Sequence, residues 1–356
     1  VRIGIIGGGQ LGMMLAEAAE KHHHQVFVLE PKKNPSASHT KSIIIPYPYE
    51  DPQGLELLCL NSDVITYEFE NIGVEHLRKY VHKIPQGIQA LEISQDRMAE
   101  KVFAKSLGIP TPRFISINQK DDLKKAFYPS ILKTTRLGYD GKGQYKLTSF
   151  HDTENIDIDQ PMILEEYIPF DYEISVVLTR DMYHQIAFLP IIKNQHVNGI
   201  LDTSFPLWDG YDHMRDESYH YAKLLVEKLD YVGTFAIEFF VKDNHVIFNE
   251  MAPRPHNSGH FSIEGATISQ FENMILAVTH QHVIKPDMTK KSLMINVLGQ
   301  HQNYALRAKR LNDVFIHDYY KEESLVNRKV AHITCCADSD DQLFSLEKII
   351  KGELHG

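Results

Sequence analysis

The sequence predicts an α/β region built on a parallel sheet, then a strand-dominated α+β region, then a small β-rich end. Three observations carry this. Strand and helix patterns alternate from residue 1 to about 93, the signature of a parallel sheet with helices on its faces. The pattern changes around Glu92-Ile93-Ser94-Gln95-Asp96-Arg97. Beyond it, short runs rich in Val, Ile and Phe dominate to the end. The expected division is 1–93, 94–285 and 286–356.

In order, Arg2–Ile6 reads as a strand, Gln10–Lys21 as a helix and Gln25–Glu30 as a second strand, with further apolar runs at Ile43–Ile45 and Asp63–Tyr67. A helix from about Gln95 to Leu107 should stop at Gly108, because Pro110 and Pro112 follow. Helices are expected near 121–127, 216–229 and 267–279, and a last one over Asp341–Ile350. No repeat or low-complexity linker interrupts the 356 residues, enough for two or three packed domains.

Composition excludes several classes. A formal charge of −10 argues against nucleic acid as partner. No uninterrupted apolar stretch approaches a membrane span, and the opening VRIGIIGGG reads as a buried strand entering a glycine turn, not a secretory signal. Three cysteines, Cys59, Cys335 and Cys336, make no disulfide framework, which suits a reducing cytoplasm. The His22-His23-His24 run lacks Cys or acidic neighbours and reads as polar surface.

Gly7-Gly8-Gly9-Gln10-Leu11-Gly12 follows a strand and opens a helix, with Glu30 ending the next strand. That is the Rossmann-like dinucleotide fingerprint, and alone it suggests an NAD(P)-dependent oxidoreductase. The same glycines suit any turn that brings backbone close to an anion. A second motif is Ile131-Leu132-Lys133 followed by Leu137-Gly138-Tyr139-Asp140-Gly141-Lys142-Gly143-Gln144. A strand delivers Lys133 to a glycine-rich turn whose N–H groups would wrap a triphosphate, and Asp-Gly also makes it a hairpin tip. Third, Met162–Ile168 is an apolar strand running into polar residues, where free backbone groups would meet an adenine.

The fourth feature is TFAIEFFVKDNHVIFNEMAPRPHNSGH. An antiparallel hairpin centred on Asn244, with Asp243-Asn244-His245 as the turn, places Glu238 opposite Glu250 on one face. Like charges directly opposed destabilise a sheet. The pair is either two solvated glutamates or a site for a divalent cation such as Mg²⁺, which takes carboxylates while holding substrate phosphates.

In this order the motifs resemble the ATP-grasp superfamily over nearly the whole chain. GYDGKGQ, NEMAPRPHNSGH and YYKEESLVNRKVAH are most similar to the 5-(carboxyamino)imidazole ribonucleotide synthases within it. The resemblance implies an ATP-dependent carbon–nitrogen ligase of purine biosynthesis, joining bicarbonate to aminoimidazole ribonucleotide through carboxyphosphate. It implies a cytoplasmic homodimer using ATP and Mg²⁺, with small-molecule substrates and no membrane or nucleic-acid partner. A formate-dependent glycinamide ribonucleotide transformylase, sharing a PRPH-type run, is the nearest rival. A catalytically silent nucleotide-binding protein is another.

The resemblance also implies roles. Arg97 and Lys133 contact ATP phosphates, Gly138–Gln144 close over them, Glu165, Glu166, Tyr167 and Ile168 hold adenine, and Glu173 takes the ribose near His196. Glu238 and Glu250 bind Mg²⁺ beside Asn249; Ala252 stands where many superfamily members carry a further asparagine ligand, and Ala331 where relatives tend to have glycine. Arg254, with His256 and Asn257, either holds bicarbonate beside the γ-phosphate or is bound to a metal-site glutamate. Lys321, Arg328 and Lys329 form the basic cluster for the substrate's phosphate. Glu68, after the strand ending at Tyr67, is a substrate contact or a helix N-terminal acid, and Gln10 and Leu11 would face the same ligand.

Overall fold

The computed structural model describes residues 1–136, 143–308 and 310–355. Its first sheet is parallel, in the order β3-β2-β1-β4, from β1 (Arg2–Ile6), β2 (Gln25–Leu29), β3 (Ile43–Ile45) and β4 (Val64–Tyr67). The strand order reverses at β1, so the β1 and β4 carboxyl ends flank a crevice, where open α/β sheets bind ligands. The helix Gln10–Lys21 leaves that crevice, as the periodicity predicts.

A second, antiparallel sheet runs β5-β8-β6-β7: β5 (Phe114–Ile117), β6 (Ser130–Thr134), β7 (Gln144–Leu147) and β8 (Met162–Glu166). Leu137 to Lys142, most of the glycine-rich turn, lie outside the described residues, so Gly138, Tyr139, Asp140, Gly141 and Lys142 receive no structural account. The expected helix near 121–127 is a 3₁₀ turn over Lys120–Lys125.

The third sheet follows β9 (Tyr172–Arg180), β10 (Ile186–Phe188), β11 (Ile192–Val197), β12 (Ile200–Pro206), β13 (Gly233–Lys242), β14 (His245–Ala252), β15 (Lys291–Leu298), β16 (Val314–Asp318) and β17 (Lys329–Ala337). Its order is β14-β13-β9-β11-β12-β15-β17-β16, with β10 on β9. The last strands thus continue the central sheet through β12 and β15, where Thr203 faces Ile295 and Ser204 faces Met294. The first region joins the same body. Met13, Met14 and Leu15 of its helix share a core with Phe271, Met274 and Ile275 of the helix Gln270–Val278, and with Tyr319. Among the described residues no helix is long and apolar enough to cross a membrane.

Candidate active site

The two glutamates face each other, but not by the expected turn. His245 already pairs with Lys242, so the loop is the two residues Asp243 and Asn244, at φ 51° and 61°. Two positive φ values in a two-residue loop match the twist of a tight hairpin, and Asp and Asn tolerate them. That register alone would set Glu238 against Asn249. It would also turn Glu250 toward the core that holds Val246 and Phe248. A β-bulge intervenes: Phe239 pairs with Phe248 and Glu238 with Glu250, leaving Asn249 as the extra residue. The extra residue reverses the side-chain alternation, so Glu250 shares the face of Glu238 while Met251 returns to the core.

Around this pair stand the expected phosphate-side cations. Burial and the charge of Glu238 push the Glu250 carboxyl up, against the opposing charges of Arg97, Lys133 and His256. Glu250 is itself exposed, so burial weighs on it less than on Glu238. Burial alone would raise Glu238 too, but His256 wins: its Nε2 lies 3.1 Å from Oε1, and the carboxyl falls to about 2. Lys329 faces this site, adding its charge to those on Glu238 and His196. Arg97 Nη1 donates to the Thr134 carbonyl at 2.8 Å. Gly143, at φ 71°, accepts the Thr134 N–H, and Gln144 pairs with Lys133, so the end of the glycine-rich turn is rooted beside the lysine.

The Glu165 carboxylate is engaged by two lysines. It is buried, accepts from Lys133 Nζ at 2.7 Å and lies 3.5 Å from Lys101 Nζ. Burial works against the charge, but the two lysines hold its pKa down at about 2. The adjoining edge is also less free than expected. The Glu166 and Tyr167 N–H groups donate to the Arg113 and Pro129 carbonyls, so neither is left for a ligand. Further along, Glu173 Oε2 and His196 Nδ1 meet at 2.5 Å, and the carboxylate raises the imidazole despite its burial. By contrast, burial and neighbouring imidazoles hold His260 and His332 well below the usual range. A titration of imidazole resonances by NMR is expected to show His196 charged above pH 6.5 while His260 and His332 stay neutral.

Arg254 is ion-paired, but not with either of the expected glutamates. Its Nε and Nη2 grip Glu70 at 2.7 and 2.6 Å, and Nη1 donates to the Pro255 carbonyl at 3.1 Å. The partner is an acid of the first region, not Glu238 or Glu250. Beyond these bonds one N–H remains on each terminal nitrogen, a reduced fork for an anion. The charges of Glu250 and Glu68 also act on Arg254, which places it between the cross-strand carboxylate pair and the first crevice. Asn257 accepts from Asn296 Nδ2 at 2.7 Å, tying this loop to β15.

In that crevice Glu68 is the helix N-terminal acid. It accepts the Gly9 and Gly12 N–H groups, each at 2.5 Å. Its carboxylate therefore fills the anion position at the start of the helix Gln10–Lys21. Glu30, the acid of the fingerprint, is equally occupied: it accepts from the Gly8 N–H at 2.9 Å and Tyr49 Oη at 2.6 Å. These contacts remove the basis for a dinucleotide. The glycines make room for Glu68, since a Cβ on Gly9 would lie 2.7 Å from Oε1, and one on Gly12 would strike the Gly7 carbonyl. Gly12→Ala is accordingly expected to cost about 1–3 kcal/mol, read as a lower urea midpoint. Gln10 Oε1 accepts from Lys321 Nζ at 2.7 Å, bringing two expected substrate residues together across 311 positions. Burial lowers Lys321 to about 8, with Arg328 adding to the effect. Leu11, however, packs on the core, and the Lys329 charge acts on Glu238 and His196 instead.

Sequence reasoning missed Glu100 and Lys101, both buried. Glu100 Oε1 accepts the Met251 N–H at 3.1 Å, and Lys101 Nζ donates to the Asn249 carbonyl. Charged neighbours in a helix ordinarily read as a solvated face, and only the helix's position against β14 reveals the pair.

A strand-borne lysine on one antiparallel sheet and a cross-strand carboxylate pair on a second define a nucleotide-dependent ligase of the ATP-grasp class. Residues 102–271 match the ATP-grasp domain, 1–95 the ribonucleotide synthetase preATP-grasp domain and 292–345 the phosphoribosylaminoimidazole carboxylase C-terminal domain. The N5-carboxyaminoimidazole ribonucleotide synthase of Staphylococcus epidermidis is 38% identical, the alignment covering 96% of this chain and 93% of the relative. A crystal structure of N5-carboxyaminoimidazole ribonucleotide synthetase as its ADP complex superposes with a TM-score of 0.93 at 36% identity, over 98% of this chain and 96% of that one. The Staphylococcus aureus synthetase with ADP gives 0.91 at 35%, over 99% and 96%. The chain belongs to the N5-carboxyaminoimidazole ribonucleotide synthase family.

Proposed function

We propose that Glu238 and Glu250 form the Mg²⁺ floor of an ATP site at which bicarbonate is phosphorylated, and that the aminoimidazole nucleotide meets the product from the Gln10–Lys321 crevice. The family reaction is the ATP-dependent formation of N5-carboxyaminoimidazole ribonucleotide in purine biosynthesis. The cross-strand carboxylate pair carries the reading. Among the described residues no group of three or more His, Cys, Asp and Glu forms a metal site. A two-carboxylate donor set fits Mg²⁺, which completes its shell with phosphate oxygens and water. When bound, the ion would neutralise phosphate charge as it develops.

The protein's own groups do the rest. Lys133 and Arg97 absorb phosphate charge, with Gly143 and Gln144 anchoring the covering turn, and Glu173 with His196 receives the ribose. Glu165 holds Lys133 charged and aimed. Arg254 offers its two remaining N–H groups to bicarbonate, and His256 and Asn257 shape that pocket. Phosphorylation makes bicarbonate an electrophile, releasing ADP; attack by the exocyclic amine then forms the C–N bond and releases phosphate. Lys321 and Arg328 supply charge for the nucleotide's phosphate, and Lys329 stands on the metal side. Residues 1–93 then form the substrate side, 94–285 the ATP-binding part and 286–356 the basic closing part. A cytoplasmic homodimer completes the reading.

The test is phosphate release with Mg²⁺, ATP, aminoimidazole ribonucleotide and bicarbonate, each omitted in turn. Dependence on both substrates is expected. Release indifferent to them overturns the reading, and dependence on formate would support the transformylase rival.

A further inference from the structure

We propose that Glu100 and Lys101 are positioning residues for the reaction: together they replace a missing neighbouring strand and hold the bulge that turns Glu250 toward Glu238. The inference rests on Glu250 being a metal ligand. β14 is the terminal strand of its sheet, so one edge of its backbone lacks a ladder partner. That edge is filled by groups from elsewhere. Before the bulge, the Val246 N–H donates to Glu217 Oε2 at 3.2 Å and the Phe248 N–H to the Pro110 carbonyl at 2.8 Å. After it the outward-facing groups change to the Asn249 carbonyl and the Met251 N–H. Lys101 and Glu100 meet these two.

The two groups flank Glu250 on either side, and a strand neighbour would present one donor and one acceptor at the same places. Adjacent residues of the helix Arg97–Ser106 supply both. A bulge leaves its extra residue outside the ladder, and an unmet buried carbonyl or N–H is costly. Without the pair, the strand gains by slipping to the bulge-free register, which sends Glu250 toward the core. The helix is itself tied to the nucleotide side. Lys101 shares Glu165 with Lys133, and the Arg97 N–H donates to the Thr135 carbonyl at 2.9 Å. One helix turn thereby sets the spacing between the phosphate lysine and the metal carboxylate. Glu100 and Lys101 are buried and act through the strand.

The readouts are Mn²⁺ binding to the full-length protein with ADP, followed by electron paramagnetic resonance, and hydrogen exchange of residues 245–252. Glu100→Ala and Lys101→Met should weaken Mn²⁺ binding by about 10-fold or more, the scale of lost supporting contacts around a metal. They should also speed exchange in that strand. Glu100→Gln keeps the acceptor for the Met251 N–H and should stay within about 2-fold of wild type, a rescue that general loss of packing would not give. If the truncations fail to fold, Glu100→Asp decides, because it keeps the charge and withdraws the acceptor by one methylene. Glu250→Gln is the control. Weak Mn²⁺ binding there, with wild-type binding in folded Glu100→Ala or Glu100→Asp, overturns the clamp alone. Wild-type binding in Glu250→Gln overturns the metal reading beneath it.

Discussion

Glu250→Gln is expected to reduce turnover by on the order of 10²-fold or more, the scale for losing one preorganised charge-stabilising group. The amide preserves the shape of the carboxylate, and Glu250 already reaches solvent, so thermal unfolding should change little. The variant also relieves repulsion, because the charge of Glu238 acts directly on Glu250. A small gain in stability beside a large loss of rate is the pattern of a functional group held against its preference. Steady-state kinetics with a parallel thermal melt checks both halves; a wild-type rate would refute the metal assignment.

The second large effect is expected from Glu70→Ala. It strips Arg254 of a bidentate partner in a partly buried setting and should cost on the order of 3 kcal/mol, measured by urea unfolding. Acid should act on the same pair. Burial pushes the Glu70 carboxyl up, but Arg254 outweighs it and holds the folded-state pKa below the ordinary value of 4.5. A depressed folded pKa means that the stabilisation is complete above the unfolded-state value and fades as pH falls through the folded one. Wild-type stability should therefore drop more steeply below about pH 4.5 than that of Glu70→Ala. The double variant Glu70→Leu/Arg254→Met should recover much of the stability, since an apolar pair leaves no stranded charge. It should not recover turnover if Arg254 serves bicarbonate, which separates scaffold from chemistry.

The sequence carried the larger pattern because alternation and turn chemistry are local. The helix Gln10–Lys21 and strands β1 and β3 lie where periodicity and glycines put them. The pairing of Glu238 with Glu250 was legible, though by the wrong path. A three-residue turn and a two-residue turn with a bulge give the same pair, and only the second keeps Val246 and Phe248 in the core. Contacts made across long separations were less legible. Glu68 and Gly12 are 56 residues apart, and Glu70 and Arg254 are 184 apart. Nothing local distinguishes an acid that caps a distant helix from one that awaits a ligand. Glu165 shows the same limit: its position on β8 was visible, while its two lysines come from other elements.

The passage of the third sheet through β12 and β15 bears on where the chain is divided for expression. A fragment ending before Lys291 would uncover β12 along the edge where Thr203 and Ser204 face Ile295 and Met294, and the excised remainder would uncover β15. Each would present unpaired backbone as a template for self-association. The seam suggested by sequence lies inside a single hydrogen-bonded sheet, so trimming the chain there should yield aggregates in place of a smaller working enzyme.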